Sequence, residues 1–238
     1  MSWFQLDAES IVARAHVGGP LGEPPRLGTF LWRGVIGFSL LSVAGFVPWA
    51  VTGNWLHQRV GEAGLYAVCA AVFIGLSGPL LHRLILGPGS LFRFYKLFSV
   101  AFSAYAILWI GGWMSLRGHL GSLVGLLAGT AAMGWILASA FDARMTSLNV
   151  IAALFVLNSV GYFGGGWIEG AVSAAHWGEV FGKPITKPVQ MTLAKLLWGV
   201  SYGIGLGAGI GLAFYLCQAN AVDALRKLKG GQVKTSDE

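Results

Sequence analysis

The segment 192-TLAKLLWGVSYGIGLGAGIGLAFYLC-217 decides the fold class of this chain. It is apolar over almost its whole length, and its only charged residue is Lys195, near the start. A helix needs about 20 largely apolar residues to cross the hydrocarbon core of a bilayer. The segment therefore predicts a membrane-spanning helix.

Five further segments have the same apolar character, and short stretches rich in Gly, Pro or polar residues separate them, for example 52–54 and 87–90. They cover residues 30–51, 63–84, 91–114, 120–141 and 148–172. We therefore predict an all-α polytopic membrane protein, with six transmembrane helices in one bundle and short surface helices at both ends.

The composition agrees with lipid as the solvent. The chain has 238 residues, of which 55% are hydrophobic and 11% are charged, whereas soluble proteins carry about 25% charged residues. A chain of this length cannot bury so much apolar surface in a water-soluble core. These values exclude a disordered chain, a collagen-like chain and a nucleic-acid-binding module, and we expect no nucleic-acid partner.

The basic residues predict the orientation of the bundle. With six spans, 11 of the 16 Lys and Arg residues fall on the side of the N-terminus and five on the opposite side. Short cytoplasmic loops carry an excess of Lys and Arg. We therefore expect an integral protein of the bacterial inner (plasma) membrane with both termini in the cytoplasm.

Three regions follow from this drawing. Residues 1–27 form a cytoplasmic N-terminal segment, in which 3–15 has a helical stripe that would suit an interfacial helix, the alternative being a partly ordered tail. Residues 28–217 form the six-span domain, and residues 218–238 form a cytoplasmic tail. The N-terminal segment contains Asp7, Glu9 and Glu23 and does not have the pattern of a cleavable signal peptide.

Glycine spacing predicts how the spans pack. Small residues at intervals of four share one helix face and allow two backbones to approach closely. A glycine zipper of this kind occurs in the sixth and fourth spans, at Gly199, Gly203, Gly207 and Gly211, and at Gly121, Gly125 and Gly129. The alternative is that these faces line a pore or allow helices to slide.

Polar side chains near the middle of the spans are candidates for a substrate path. The path that we predict contains Asn158, Tyr162, Thr130 and Tyr202. Asn158 is the most informative of these because its amide offers two donors and an acceptor. The alternative is that Asn158 makes only an interhelical hydrogen bond.

The loop after the second span predicts a site for lipid headgroups. It carries Arg83, Arg93 and Lys96, and Ser90 is a natural N-cap for the following helix. A helix N-terminus close to cations suits a phosphate. The positive-inside rule alone could also explain these charges.

Several chemistries lack the residues that they need. No carboxylate lies at mid-span, which argues against coupling to protons. No two of the five histidines share a plausible depth in the bundle, and no metal-binding spacing occurs. We expect no metal and no cofactor, and an enzyme is the less favoured reading.

One fragment resembles a known family. Gly75-Leu76-Ser77-Gly78 resembles the GxSG motif of rhomboid intramembrane proteases, and Ala175-His176-Trp177-Gly178 resembles their AH-containing motif. The resemblance implies a Ser77 nucleophile with His176 as its base. It covers eight residues, and it departs from the family because His176 lies in a loop and the glycine after it comes one position early. Gly and Ser are frequent in membrane helices, so we do not assign the family.

Two function classes remain. The first is a proton-uncoupled transporter or channel for a small solute or lipid. The second is a non-catalytic subunit or assembly partner of a larger membrane complex, and a membrane-embedded enzyme comes third. The expected partners are membrane lipid and either a second copy of the chain or another membrane protein.

Overall fold

A computed structural model of the chain describes residues 4–17, 23–175, 179–180 and 183–236, and these are almost entirely helical. The helices are α1 (Ala8–Val17), α2 (Leu27–Leu81), α3 (Ser90–Leu116), α4 (Gly118–Ala140), α5 (Ser147–Ala174), α6 (Lys187–Cys217) and α7 (Ala219–Ser236). Two 3-10 turns follow α2 and precede α5, at His82–Leu84 and Arg144–Thr146. Between α5 and α6, the two-residue strands Glu179–Val180 and Lys183–Pro184 pair in antiparallel orientation.

The membrane prediction is confirmed at the level of helices. Within the described residues, five helices, α2 to α6, are long and apolar enough to cross a bilayer. Many of their large apolar side chains point outward, among them Trp32, Trp135 and Trp167. Such exposure suits lipid as the solvent.

Helix α2 contains a sharp break at Gly61. This residue has φ 71° and ψ −178°, a conformation that favours glycine. The chain reverses there, since a Cβ built on Gly37 would lie 2.7 Å from Leu81 Cδ2, and the rings of Phe38 and Phe73 are 5.7 Å apart. The two halves of α2 therefore lie side by side.

The predicted connector at 52–54 was wrong, because these residues are helical. The Thr52 hydroxyl donates to the Pro48 carbonyl, 2.9 Å away, and most side chains of 51–60 are exposed. A helix satisfies its own backbone groups wherever it runs, so α2 continues beyond its apolar segment until Gly61 allows a turn.

Helix α6 lies at the centre of the bundle, between α2 and α5. A Cβ built on Gly207 would lie 2.5 Å from the Gly34 carbonyl oxygen, and one built on Gly205 would lie 2.4 Å from the Leu157 carbonyl oxygen. The backbone of α6 thus approaches both neighbours closely. The sequence analysis did not identify Gly34, on α2, as a packing partner of α6.

Helices α3 and α4 approach each other in the same way. A Cβ built on Gly125 would lie 2.6 Å from the Trp109 carbonyl oxygen, and one built on Gly129 would lie 2.8 Å from the Tyr105 carbonyl oxygen. These contacts fix the part of α3 that presents Tyr105 and Trp109 to the other helices.

The end of the bundle that contains α1 and α7 is held by a buried side chain. Gln218, which is 1% exposed, donates from Nε2 to the Leu84 carbonyl at 2.8 Å, and its Oε1 accepts from the Leu86 N–H at 2.9 Å. Helix α1 packs against α7, and Leu6 and Ile11 are fully buried there.

Candidate functional site: an aromatic cavity

A cavity of about 210 Å³ lies among α2, α3, α5 and α6. Eleven of its sixteen lining residues are aromatic: Phe46, Trp49, Tyr66, Phe73, Phe102, Tyr105, Trp109, Trp113, Tyr162, Trp198 and Tyr202. The others are Gly45, Cys69, Ala70, Ala106 and Ile110. In the part of the chain that the structure describes, no Asp, Glu, Lys, Arg or His side chain lines this space.

The rings form a connected wall because of where the helices place them. Trp198 and Tyr202 are four residues apart on α6 and therefore share a face. Trp198 lies 5.3 Å from both Trp49 and Tyr162 in edge-to-face geometry, which is favourable for aromatic pairs. Gly45 leaves room for the Phe73 ring directly against the backbone of α2.

A chain of hydrogen bonds crosses one side of the cavity. Asn158 Nδ2 donates to the Tyr105 hydroxyl at 2.9 Å, and the hydroxyls of Tyr105 and Tyr202 are 3.0 Å apart. Asn158 is fully buried, and Tyr105 is 2% exposed. The amide oxygen of Asn158 is enclosed and has no hydrogen-bond partner.

A second polar pair lies one helical turn further along α5 from Asn158. The hydroxyls of Tyr162 and Ser122 are 3.1 Å apart, and Ser122 also donates to the Gly118 carbonyl at 3.1 Å. The indole N–H of Trp198 donates to the Tyr162 carbonyl at 3.0 Å. The hydroxyls of Tyr162 and Ser122 and the indole N–H of Trp198 are therefore satisfied within the protein.

An ion pair joins two turns at the end of the bundle nearest the cavity. Both guanidinium nitrogens Nη1 and Nη2 of Arg117 donate to the Glu62 carboxylate, at 3.1 and 3.0 Å. Glu62 follows the break at Gly61, and Arg117 lies between α3 and α4. The Arg117 guanidinium also stacks 4.3 Å from the ring centre of Trp113, a wall residue. The pair therefore covers the wall formed by Trp113 and Tyr66.

The charges of this ion pair support each other. The hydrogen bond from Arg117 lowers the pKa of Glu62, and the same bond raises the pKa of Arg117. Both side chains therefore stay ionised over a wider pH range than isolated residues would.

One further cation lies beside the cavity. Lys195 Nζ is 4.6 Å from the ring centre of Trp49, and Lys195 precedes Trp198 by one turn of α6. Its ammonium therefore packs on a wall ring and does not enter the space that the wall encloses.

The structure brings together part of the predicted substrate path. Tyr162 and Tyr202 line the cavity, and Asn158 lies behind Tyr105. Thr130 is fully buried but does not line the cavity, and its hydroxyl donates to the Leu126 carbonyl of its own helix at 2.7 Å. Sequence reasoning missed the tryptophans of the wall. A signal was present, since in the predicted six-span topology Trp49, Trp109, Trp113 and Trp198 all fall in the half of the bilayer that faces away from the cytoplasm.

The predicted headgroup site differs from the expectation at the start of α3. Helix α3 begins at Ser90, and Gly89, with φ 68°, occupies the N-cap position, so the prediction of Ser90 as N-cap was wrong. Glycine was favoured there because the turn requires a left-handed residue. Arg93 Nη1 donates to the Gly89 carbonyl at 2.9 Å, and Lys96 Nζ lies 5.7 Å from the Phe4 ring centre.

Two more groups lie near this cluster. The carbonyl of Arg83 accepts from Arg33 Nη1 at 3.0 Å, which ties the loop to α2. Burial lowers the pKa of Arg14, on α1, and the charge of Arg93 lowers it further. The described residues thus bring cations of α1 and α3 close together at this end of the bundle.

The structure also shows the surroundings of Ser77, the nucleophile that the protease resemblance implies. Ser77 is fully buried, and its hydroxyl donates to the Ile74 carbonyl at 2.8 Å. His176 lies outside the described residues. Within those residues, no group of three or more His, Cys, Asp and Glu side chains is positioned to hold a metal ion.

No protein-family model, no curated protein and no solved structure matches this chain.

Proposed function

We propose that the protein is a membrane transporter for a small solute or lipid, and that the cavity holds a neutral, largely apolar, ring-sized part of that molecule. The aromatic wall without charged side chains is the observation that carries this proposal. An apolar cavity of about 150 Å³ is large enough to hold benzene. The cavity of about 210 Å³ therefore fits a substituted single ring.

The charge of the ligand follows from the wall. Removing an ion from water is costly unless the site supplies a partner, and the described wall residues supply none. Aromatic faces can bind cations, but Lys195 and Arg117 already stack on the rings of Trp49 and Trp113. These two ring faces are therefore already taken by cations of the protein, so a neutral ligand is favoured. The described wall also contains no carboxylate, so we propose transport without proton coupling.

The orientation of the helix bundle in the membrane is part of the same proposal. The parts of α2 before and after Gly61 each contain the about 20 residues that a crossing needs, so six spans with both termini in the cytoplasm of a bacterial inner membrane fit the fold. The cavity would then lie in the half of the bilayer that faces away from the cytoplasm.

Binding of ethylbenzene to the purified full-length protein tests the cavity. Ala70 lines the space, whereas its neighbour Ala71 is exposed on α2. Ala70→Phe should fill the cavity and abolish the heat of binding in calorimetry, whereas Ala71→Phe should leave it unchanged. Absence of binding to the wild-type protein, or equal binding by both variants, would overturn the site.

Transport is tested separately in proteoliposomes. The radiolabelled probe is 4-hydroxybenzamide, a neutral ring solute that carries polar groups. We expect protein-dependent uptake that Ala70→Phe abolishes, that Ala71→Phe retains and that does not respond to an imposed proton gradient. Binding without any protein-dependent uptake would reject the transport role.

A further inference from the structure

The hydrogen bonds beside the cavity leave one phenol proton without an acceptor. A tyrosine hydroxyl has one proton to donate, and a primary amide has two. Asn158 Nδ2 donates to Tyr105, and the hydroxyls of Tyr105 and Tyr202 share a single hydrogen bond. The two phenol protons therefore have one acceptor between them. Whichever hydroxyl donates, the proton of the other remains unused at the wall.

The spare phenol proton depends on which way the Asn158 amide faces, and in the structure its nitrogen faces Tyr105. Turning the amide by 180° would let its oxygen accept from Tyr105, after which Tyr202 could donate to Tyr105. The two amide protons would then be the ones without acceptors. Asn158 is fully buried, so water outside the bundle cannot take them. The turned amide would leave no phenol proton for a ligand, so equal binding of a carbonyl probe and its hydrocarbon analogue would indicate that orientation.

The Tyr162–Ser122 pair shows the contrast. Ser122 donates to the Gly118 carbonyl, so its oxygen can accept the Tyr162 proton. Both hydroxyl protons thus have acceptors, and this chain ends on the backbone. Among the hydroxyl groups of the wall, the unused proton therefore belongs to the Tyr105–Tyr202 pair.

We propose that the ligand carries an oxygen acceptor, such as a ketone, quinone or ester carbonyl, that accepts the spare phenol proton of the Tyr105–Tyr202 pair. This inference rests on the proposed function and adds the chemical class of the ligand to it. A neutral carbonyl compound satisfies the donor without bringing a charge into the apolar wall. A water molecule would accept the same proton but would add two protons to a wall already short of acceptors.

Two probes of equal shape test the inference. Acetophenone and α-methylstyrene differ only in that a carbonyl oxygen replaces a methylene group. We expect calorimetry on the full-length protein to give a dissociation constant about fivefold to tenfold lower for acetophenone, as one extra hydrogen bond allows. Benzoate and phenyltrimethylammonium should bind more weakly than both.

The variants remove the donors without leaving new unpaired groups. Asn158→Leu, Tyr105→Phe and Tyr202→Phe together replace all three partners by apolar groups of similar shape, which can be nearly neutral for stability. This triple variant should bind both probes equally. Ser122→Ala with Tyr162→Phe is the matched control, because it removes a satisfied pair from the same cavity, and it should keep the preference for acetophenone.

Trp109→Phe addresses the other enclosed donor. The Trp109 indole N–H has no hydrogen-bond partner and belongs to a wall residue. Loss of the preference in Trp109→Phe, with its retention in the triple variant, would overturn the assignment to the phenol pair.

The wild-type comparison decides the inference even if the triple variant does not fold. Equal binding of the two probes, or tighter binding of a charged probe, would overturn the ligand class and leave the cavity as a binding site for apolar molecules. Failure of both neutral probes to bind would instead reject the proposed function.

Discussion

Gln218 joins two parts of the chain that are far apart in sequence. Its side chain accepts from the Leu86 N–H and donates to the carbonyls of Leu84 and Phe214. The residues that follow α2 are buried but not part of an α-helix. Their backbone N–H and carbonyl groups therefore need hydrogen-bond partners from elsewhere in the chain. The Gln218 amide thus supplies the hydrogen bonds that the backbone groups of this loop would otherwise lack.

We predict that Gln218→Leu destabilises the protein by about 2 to 3 kcal/mol, because buried backbone groups near Leu84 and Leu86 lose their partners. Thermal unfolding of the detergent-solubilised protein measures the effect. Gln58→Leu is the control, since Gln58 is exposed and should change the melting temperature little. Equal melting temperatures for Gln218→Leu and the wild type would contradict the role of the amide.

The sequence predicted single residues of the cavity better than the cavity itself. Tyr162 and Tyr202 stood out because polar atoms are rare at mid-span. Trp49 and Trp198 did not stand out, since tryptophans in membrane helices also lie at the lipid interface. Only packing against Phe46 and Tyr162 shows that these two rings form a wall.

The close approach of helices α2 and α6 depends on glycine at the contact between them. The Cβ of Gly207→Ala would lie 2.5 Å from the Gly34 carbonyl oxygen and 2.9 Å from its carbonyl carbon, and backbone atoms cannot rotate away. We expect a loss of about 1 to 3 kcal/mol as the helices separate. The melting temperature in detergent should fall accordingly.

Gly166→Ala is the matched control for that prediction. It lies inside helix α5, and a Cβ there would meet nothing within 4 Å. Alanine favours a helix by up to about 1 kcal/mol over glycine, so this variant should be neutral or slightly stabilising. A similar loss in both variants would show that close packing at Gly207 is not the cause.

The ion pair of Glu62 and Arg117 should control access to the cavity. It connects the turn of α2 to the junction of α3 and α4 and covers Trp113. We expect Glu62→Gln to raise the rate at which a small water-soluble methanethiosulfonate reagent modifies Cys69, which lines the cavity, severalfold. Cys217, which is 5% exposed, serves as the internal reference.

A control ion pair separates this effect from a general loss of charge. Asp223→Asn removes the exposed pair with Arg226 on α7 and should leave Cys69 unchanged. An unchanged Cys69 rate in Glu62→Gln would show that the pair does not limit access. Because the pKa of Glu62 is lowered, its stabilising contribution persists below the ordinary carboxylate pKa and is lost only as the pH falls through the lowered value.

The position of the turn in α2 shows a limit of sequence patterns. Gly53 and Asn54 look like a loop, yet the helix continues past them and breaks at Gly61. Local composition marks where a turn is allowed. The place where the chain actually turns also depends on Glu62 reaching Arg117, more than fifty residues later, and no local pattern contains that information.

The whole molecule divides into a tightly packed half and a half with space. Phe94, Phe98 and Phe102 stack on one another at 5.1 and 5.2 Å along α3, and Phe94 continues the stack to Phe214. The cavity begins where this stack ends, at Phe102. The end with Gly61 and Arg117 is therefore the shorter way out, which is consistent with a ligand that enters from that side.

The orientation of the bundle provides the last prediction. If the two halves of α2 cross the membrane separately, α1 and α7 lie on one side of the bilayer and the turn near Arg59 lies on the other. Single cysteines at the exposed positions Glu9, Lys227 and Arg59 test this in a background with Cys69→Ala and Cys217→Ala. In right-side-out vesicles, a membrane-impermeant maleimide should label only Arg59→Cys. Permeabilised vesicles should give labelling at all three positions, which controls for reactivity. Labelling of Glu9→Cys together with Arg59→Cys in intact vesicles would mean that α2 does not cross twice, and the cavity could not then open to the side that we propose.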